Sequence, residues 1–399
     1  MAFTLNSYPV VYRSRFKKKV RQGGRWSGEF LVKPHKSPKA EAKLDDARRE
    51  ELAASRNFYT DMPLVNYTTQ YGVSCFEGLK AIPQKNGGIA IFRPDQNAAR
   101  FARSMAGLYM PSFPEKDFVK ACIETVKQNA ELGFRPDYKD EWEKDSFMTA
   151  DSIYIRPFTY AEGGIGVNLS TEPWVMIVNT PVSSYFSGGS SDAVVTNRIR
   201  ATPNGTGWIK AASNYVIAAL SKHEAIEKGF MECVFLDAAE HKYIEEGSSC
   251  NIFFCLKSGE LVTPELGDTI LPGITRASII ELARDKKVKV SERKISIEEA
   301  LSETAECFVS GTAVGATPLC SLTYNGKKTI FNNGKVGDFT AVIRDTIKGI
   351  QYGLLPDTKG WMVKVPLPAV GAKSRTSSSA GRNTSQKKGG KTKTAAAAK

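Results

Sequence analysis

The sequence has few of the residues that metal centres and disulfide frameworks require. None of its three histidines, His35, His223 and His241, stands in a metal-ligand spacing. Its seven cysteines are scattered and odd in number, and none belongs to a Cys-x-x-Cys pair. These shortages argue against a bound metal, a serine triad, a zinc ribbon and a disulfide framework. The cysteine usage instead favours a reducing cytoplasm.

Long apolar runs and a secretory signal are also missing. No run approaches the roughly 20 residues that span a bilayer, and the basic N-terminus lacks the apolar region of a secretory signal. Residues 1–28 contain arginine, lysine and serine but no acid, which leaves a transit peptide open as an alternative. We expect no membrane partner.

Acidic and aromatic residues are absent from the C-terminal stretch. The net charge of the 399-residue chain is +13, and residues 371–399 hold eight lysines and arginines without an acid. Their serine, glycine and alanine cannot bury enough apolar surface to repay ordering entropy, so we predict a disordered basic tail at 369–399. Such a tail could bind nucleic acid through its cations, but it has no aromatic side chain to stack on bases. We favour a solvated appendage.

The rest of the chain is typical of a globular protein, with 41% hydrophobic and 24% charged residues, and is long enough for two cores. We expect an N-terminal extension at 1–55 that wraps on a small domain at 56–182. A glycine- and serine-rich connector at 183–191 would lead to a larger domain at 192–368.

Periodicity and turn residues predict the elements of both domains. Strands are expected at 9–12, 65–69, 79–83, 89–92, 153–155, 174–178 and 308–310, with a meander over 231–263. Helices are expected at 39–54, 96–108, 118–132, 214–228, 275–284 and 337–352. Asp95 and Ser213 are the predicted N-caps, and Gly133 and Gly229 the predicted helix ends.

Two ionisable residues have unusual neighbours. Lys210 lies among uncharged residues, where loss of hydration favours the neutral amine that condenses with a carbonyl. Taken alone, it is more typical of an exposed loop lysine. Glu246 lies in an apolar strand, where a carboxylate needs a cation such as a protonated pyridine nitrogen, although an isolated glutamate usually faces solvent. Glu245 must then face the other side of the strand.

Three further patterns could bind anions. Gly273 and Thr275 begin a helix, so free backbone N–H groups could face an anion. The small residues of 310–313 follow a strand and offer a second such loop. Tyr154 and Arg156 share one strand face, where the guanidinium could hold a carboxylate. A plain capped helix and a surface ion pair are the structural alternatives.

Together these residues resemble known families. The signature of the class IV aminotransferases, the fold-type IV pyridoxal phosphate enzymes, is similar to Glu246-Gly247-Ser248-x-x-Asn251-Ile252-Phe253, Leu261-x-Thr263 and Leu271-x-Gly273-Ile274-x-Arg276. Segments 71–80, 92–100, 154–157, 210–215 and 310–313 resemble the branched-chain amino-acid aminotransferases, and the likeness covers about 60–355. It implies an α+β fold with a smaller α/β N-terminal domain and a larger domain built on an antiparallel pseudo-barrel sheet.

The resemblance implies pyridoxal 5'-phosphate as cofactor. Lys210 would hold it covalently and shuttle protons, Glu246 would partner the pyridine nitrogen, and Tyr215 would meet the phenolic oxygen. The remaining cofactor-binding residues implied by the family, most of them around the phosphate, are Arg100, Leu271, Ile274, Thr275 and Thr312.

The same likeness implies the substrate side. Tyr71, Phe76 and Tyr154 would form an apolar wall, and Arg156 would hold the distal carboxylate of glutamate. The backbone amides of Thr312 and Ala313 would hold the α-carboxylate. A loop containing Val167 would come from the neighbouring subunit, which implies a homodimer.

The implied reaction exchanges amino groups between leucine, isoleucine or valine and 2-oxoglutarate, giving branched-chain 2-oxo acids and glutamate. A D-amino-acid aminotransferase and a 4-amino-4-deoxychorismate lyase of the same fold are the alternatives. Tyr154 and Arg156, together with 76–78, favour the branched-chain enzyme. Segment 314–317 lacks the cysteine pair of some animal relatives, so we expect no thiol control there.

Overall fold

The structure, a computed structural model, describes residues 6–19, 23–183 and 191–367. The predicted connector at 183–191, apart from its two end residues, and the predicted tail at 369–399 lie outside the described residues. The helices are α1 (Pro38–Glu41), α2 (Asp46–Ser55), α3 (Tyr67–Tyr71), α4 (Pro94–Gly107), α5 (Glu115–Glu131), α6 (Asn214–Glu227), α7 (Ile274–Asp285), α8 (Ile297–Glu303) and α9 (Asp338–Tyr352).

Within the described residues the strands form three sheets. They are β1 (Val10–Lys19), β2 (Gly23–Val32), β3 (Leu79–Pro83), β4 (Ile89–Phe92), β5 (Ser152–Tyr160), β6 (Trp174–Val182), β7 (Asp192–Val195), β8 (Glu232–Leu236), β9 (Ile244–Gly247), β10 (Asn251–Leu256), β11 (Leu261–Thr263), β12 (Val290–Glu292), β13 (Thr304–Gly311), β14 (Gly315–Leu319), β15 (Ser321–Tyr324), β16 (Lys327–Ile330) and β17 (Met362–Lys364). The two α-helices after β4, α4 and α5, pack on the first sheet through residues such as Phe101 and Phe118.

The first sheet has seven strands in the order β17-β4-β3-β5-β6-β1-β2, and neighbouring strands pair antiparallel. The predicted strands at 79–83 and 89–92 are confirmed as β3 and β4, which pair as a hairpin, and Gly87 takes the positive φ of 84° that its turn requires. Registry places Lys80 opposite Tyr154, so β3 and β5 present these side chains on one face.

The N-terminal residues belong to this sheet rather than wrapping around it. β1 pairs with β6, with Tyr12 opposite Ile177, and β2 forms the sheet edge. Val10 and Val11 are buried, and Trp26 meets Phe113 edge-on at 5.0 Å between ring centroids. The predicted strand at 9–12 is therefore much longer, because Arg13 and Arg15 lie half-buried over the Trp174 ring and extend the pairing with β6.

The predicted strand at 65–69 is wrong. Residues 67–71 form the short helix α3, because Asn66 at its N-cap accepts a hydrogen bond from the Thr69 N–H at 3.0 Å. Gly72 ends the helix with φ 68°. Local capping thus overrides an alternation of only three residues.

Of the two predicted N-caps, Asp95 is wrong, whereas Ser213 does stand at the N-cap of its helix. Helix α4 begins at Pro94, which suits a first helical position, and Arg93 occupies the N-cap, so Asp95 lies in the first turn. Ser213 precedes α6 but has helical φ and ψ and makes no capping hydrogen bond. The helix ends at Gly133 and Gly229 have the expected positive φ.

The other sheets share one apolar core. Their orders are β12-β11-β10-β13-β14 and β16-β15-β7-β8-β9, and side chains such as Val234 and Phe254 pack together between them. The predicted meander over 231–263 is wrong in one respect, since β9 and β10 belong to different sheets. That separation brings the loops of both sheets towards β3 and β5.

Candidate active site

A cavity of about 390 Å³ lies where β3 and β5 face the loops of the other two sheets. It is lined by every predicted site residue except Tyr71 and Val167, that is by Phe76, Arg100, Tyr154, Arg156, Lys210, Tyr215, Glu246, Leu271, Ile274, Thr275, Thr312 and Ala313. Its size falls within the range of small-molecule sites. The fold therefore gathers side chains from distant parts of the sequence.

Lys210 is fixed at both its backbone and its amine. Its carbonyl accepts a hydrogen bond from the Phe76 N–H at 3.1 Å, and its N–H donates to Ser104 Oγ at 3.2 Å. The Nζ atom donates to the Tyr215 hydroxyl at 2.7 Å and lies 4.9 Å from the centre of the Phe76 ring. The amine is thus half-buried against two aromatic rings and aimed into the cavity.

Glu246 lies in the interior on β9 and pairs with a cation that the sequence analysis did not identify. Its Oε1 is 2.7 Å from Nη1 of Arg200, and both side chains are buried. Asn251 Nδ2 and the Leu271 N–H also point at the carboxylate, each at 3.4 Å. Burial raises the pKa of Glu246, and the charge of Arg200 limits that rise.

Two loops form a cup of hydrogen-bond donors. Helix α7 starts after Gly273, so the first N–H groups of the helix are free of intrahelical partners and face the cavity beside the buried Thr275. A Cβ on Gly273 would lie 1.9 Å from Asn251 Oδ1, which explains the glycine. Across the cavity, the turn from Ser310 to Ala313 joins β13 to β14. The arrangement suits an anion.

Arg100 reaches this cup with its charge already balanced. Its Nε and Nη2 donate to the two carboxylate oxygens of Glu77 at 2.7 and 2.8 Å, and Nη1 donates to the Pro272 carbonyl at 3.0 Å. Burial by itself would raise the pKa of Glu77, but Arg100 and a hydrogen bond from Asn97 hold it below its usual value. The pair ties α4 to the loop before α7.

The opposite wall combines aromatic rings with one guanidinium. Arg156 Nη2 donates to the Tyr154 hydroxyl at 3.2 Å, and its guanidinium carbon lies 4.7 Å from the Phe76 ring centre. A Cβ on Gly78 would lie 2.0 Å from the Tyr154 hydroxyl oxygen, so glycine there leaves space for the tyrosine. This wall is therefore apolar and carries one cation, the Arg156 guanidinium.

Tyr71 and Val167 lie outside the cavity. The Tyr71 hydroxyl accepts a hydrogen bond from the Gly166 N–H at 3.0 Å, and the Val167 side chain is 93% exposed. Arg200, Glu77 and Asn97 belong to the site without having been predicted from the sequence. The demand of a buried carboxylate for a cation could have signalled both ion pairs, but no spacing rule identifies the partner.

The donor set fits pyridoxal 5'-phosphate. The amine of Lys210, the carboxylate of Glu246 and the cup around Thr275 suit an aldehyde, a pyridine nitrogen and a phosphate, respectively. Ser310 Oγ is buried and has no hydrogen-bond partner among the described residues, as expected for a donor that a ligand would satisfy. The described ranges contain no group of three or more His, Cys, Asp or Glu residues able to hold a metal ion.

Comparison with known proteins agrees with this geometry. The profile of the Amino-transferase class IV family matches residues 74–322. The probable branched-chain-amino-acid aminotransferase of Staphylococcus aureus is 40% identical over 306 residues, covering 74% of this chain and 82% of that protein. The branched-chain-amino-acid aminotransferase of Mycolicibacterium smegmatis is 34% identical over 377 residues, covering 84% and 98%.

Solved structures give the same result. The Escherichia coli branched-chain amino acid aminotransferase aligns with a TM-score of 0.66 and 29% identity over 77% of this chain and 95% of that chain. The T.th. branched-chain amino acid aminotransferase, complexed with N-(5'-phosphopyridoxyl)-L-glutamate, aligns with a TM-score of 0.64 and 27% identity over 77% and 94%. The predicted fold-type IV architecture is confirmed, and the chain belongs to the class IV aminotransferases.

Proposed function

We propose that the protein is a pyridoxal phosphate-dependent transaminase. It transfers the amino group between L-leucine, L-isoleucine or L-valine and 2-oxoglutarate, giving branched-chain 2-oxo acids and L-glutamate. The observation that carries this proposal is the convergence of Lys210, Glu246 and the Thr275 cup on one cavity whose far wall is apolar. The relatives named above, which are branched-chain aminotransferases, support the substrate class.

Each group of the cofactor has a counterpart in the cavity. Lys210 would bind its aldehyde carbon, Tyr215 its phenolic oxygen and Glu246 its ring nitrogen. Ile274, Thr275 and Thr312 would hold the phosphate, with Leu271 and Arg100 beside them. When bound, the protonated ring withdraws electrons from the substrate α-carbon.

The protein's own groups supply proton transfer and charge. The Lys210 amine removes the substrate α-proton and returns a proton in the second half of the exchange. Tyr215 lies at hydrogen-bond distance from that amine and orients it. Burial raises the pKa of Glu246, and Arg200, 2.7 Å away, opposes that rise and so favours the charged carboxylate that would face the ring nitrogen.

The wall opposite the cup accounts for two kinds of substrate side chain. Phe76 and Tyr154 present ring faces to an aliphatic side chain. Arg156, whose guanidinium lies over both rings, would bind the distal carboxylate of glutamate. The Thr312 and Ala313 amides would bind the α-carboxylate.

The Lys210→Ala variant tests the proposal. We expect purified wild-type protein to show the visible absorbance of lysine-bound pyridoxal phosphate and to transaminate L-leucine with 2-oxoglutarate. The variant should lose both properties, whereas Lys228→Ala, an exposed lysine, should keep both. Activity on D-alanine but not on L-leucine would favour the D-amino-acid enzyme instead.

We also propose a homodimer of two-domain subunits. Apolar side chains that a partner subunit could cover support the dimer: Leu64, Ile165 and Val167 are each more than four-fifths exposed. The small domain would be 56–182, which contributes β3 to β6 of the first sheet, and the large domain 192–368.

None of the helices in the described ranges is long and apolar enough to cross a membrane. A cytoplasmic location is proposed from the unpaired state of the seven cysteines.

A further inference from the structure

A second, smaller cavity lies on the far side of the Thr312 turn. It measures about 90 Å³, and its walls include Lys80 of β3 together with Arg344 and Lys348 of α9. The same two lysines line a third space of about 20 Å³ that reaches Thr275 and Thr312. Three cations from two separate elements thus line one cavity on the far side of this turn.

No carboxylate neutralises this cluster from within. Among the described residues that line the two cavities there is no Asp or Glu, and no described partner forms an ion pair with Lys80 or Lys348. Arg344 contacts Asp345 at 3.1 Å, but that carboxylate is half exposed. The charge of Asp145 raises the pKa of Lys348 in part, but the two form no ion pair among the described residues. The Asp145 oxygens accept hydrogen bonds from the Met148 and Thr149 N–H groups instead.

The pKa values of Lys80 and Lys348 are both lowered. Burial, followed by repulsion from Lys348, lowers the pKa of Lys80 to about 7. Burial and the charge of Arg344 lower the pKa of Lys348 to about 8, and Asp145 opposes this only in part. An anion between the two ammonium groups would restore their protonation.

We propose that Lys80, Arg344 and Lys348 form a binding site for a phosphate-sized dianion, separate from the cofactor site. The larger cavity exceeds the volume that a single water needs, so it can hold such an ion with some hydration. A dianion suits a cluster of three positive groups better than chloride does. The Ser146 and Thr317 side chains add hydroxyl groups to the wall.

The site shares a wall with the active site. Ala313 lines both the large cavity and the anion site, and the 20 Å³ space lies between the lysines and the cup. A bound dianion would therefore restrain the turn whose amides are proposed to hold the α-carboxylate. This consequence rests on the proposed function, whereas the binding itself does not.

Calorimetric titration of inorganic phosphate into protein saturated with pyridoxal phosphate tests the site. At constant ionic strength and about pH 7.5, where inorganic phosphate is mostly a dianion, we expect saturable binding of one phosphate per chain, competition by sulfate, and no comparable heat from chloride. Lys348→Met should weaken binding at least tenfold, and Lys364→Met, an exposed lysine of β17, should not. Raising the pH to 9 should weaken binding as the two lysines lose their protons.

Two results would overturn the inference. One is equal phosphate affinity in the wild type and in both Lys348→Met and Arg344→Gln, the second variant covering the case in which the first fails to fold. The other is phosphate binding that occurs only with loss of the cofactor's visible absorbance, which would place the ion in the cofactor cup. Because the readout is binding, it stays interpretable whether or not the transaminase assay succeeds.

Discussion

The Glu246 carboxylate lies in the protein interior, where an uncompensated charge is unfavourable. Its pairing with Arg200 at 2.7 Å makes the charge tolerable and at the same time leaves the carboxylate facing the cavity. Glu77 and Arg100 form a second buried ion pair on the other side of the cup. At the scale of single residues, the site therefore depends on buried pairs of opposite charge.

Replacing Arg200 by methionine should lower the stability of the fold and shift the pH dependence of activity. Removing one partner of a buried pair costs about 3–5 kcal/mol of unfolding free energy. Without Arg200 the pKa of Glu246 should rise further, so transaminase activity at neutral pH should fall at least tenfold and recover partly as the pH is raised. Chemical denaturation and a pH–rate profile measure the two effects.

Arg200→Lys keeps the positive charge and should restore much of the activity at neutral pH. Arg198→Met removes an exposed arginine that pairs with Glu224 on the surface, and should leave stability and pH profile unchanged. A pH profile of Arg200→Met identical to that of the wild type would contradict the proposed role of Arg200.

At the scale of elements, strand β9 separates two adjacent carboxylates. Alternation along the strand sends Glu246 to the cavity and Glu245 to the opposite face, where it is also buried. Burial raises the pKa of Glu245 to about 7, and the charge of Glu246 adds to this despite a hydrogen bond to Thr269. One short strand thus carries a residue of the cavity and a residue sensitive to pH.

Glu245 should make stability depend on pH. Its pKa is higher in the folded state than in the unfolded chain, so its protonated form stabilises the fold below about pH 4.5, and this contribution is lost as the pH rises through about 7. Glu245→Gln should therefore match the wild type near pH 4.5 and exceed its unfolding free energy by about 1–3 kcal/mol at pH 8.

Urea denaturation at several pH values measures this difference. Glu240→Gln, an exposed glutamate in the turn before β9, is the matched control and should follow the wild type at every pH. A constant difference between Glu245→Gln and the wild type from pH 4.5 to pH 8 would refute the titration of Glu245 in this range.

At the scale of the whole molecule, the loop of residues 163–169 projects apolar side chains outward. The hydrogen bond from the Gly166 N–H to the Tyr71 hydroxyl holds this loop against α3. Ile165 and Val167 beyond it are more than four-fifths exposed. A second subunit would bury these side chains and bring them to its own cavity, as proposed for the homodimer.

Val167→Asp should weaken that assembly. A charge placed in an apolar interface loses hydration without gaining a partner, so we expect a lower dimer fraction and a raised KM for leucine. Light scattering after size-exclusion chromatography measures the first and steady-state kinetics the second. Leu355→Asp changes another exposed apolar residue and should alter neither. A monomeric wild-type protein with full activity would rule out the proposed assembly.

The motif residues were accessible from sequence because their spacing is local. Gly273 and Thr275 begin one helix, Glu246 and Asn251 flank one turn, and Lys210 stands close to Tyr215. Helix starts, glycine turns and strand alternation are properties of short segments. The motifs that these residues form resemble the class IV aminotransferases, and that resemblance implied the fold class and the cofactor.

The errors have equally physical causes. The alternation at 65–69 spans too few residues to outweigh the Asn66 cap and Gly72. The basic residues after Tyr12 hid a strand because Arg13 and Arg15 pack over the Trp174 ring, a contact with another strand that the sequence pattern does not show. In both segments, contacts with residues outside the short sequence pattern determined the secondary structure.

The sequence alone determined the chemistry of this protein, since Lys210, Glu246 and the two donor loops are recognisable residue by residue. Only the tertiary structure decided which charges meet. Arg200 is paired with a residue 46 positions away and Arg100 with one 23 positions away, and Lys80 shares a cavity with Arg344 and Lys348 of α9. Such pairings arise from the packing of separate elements, because the energy of a buried charge depends on its neighbours in space.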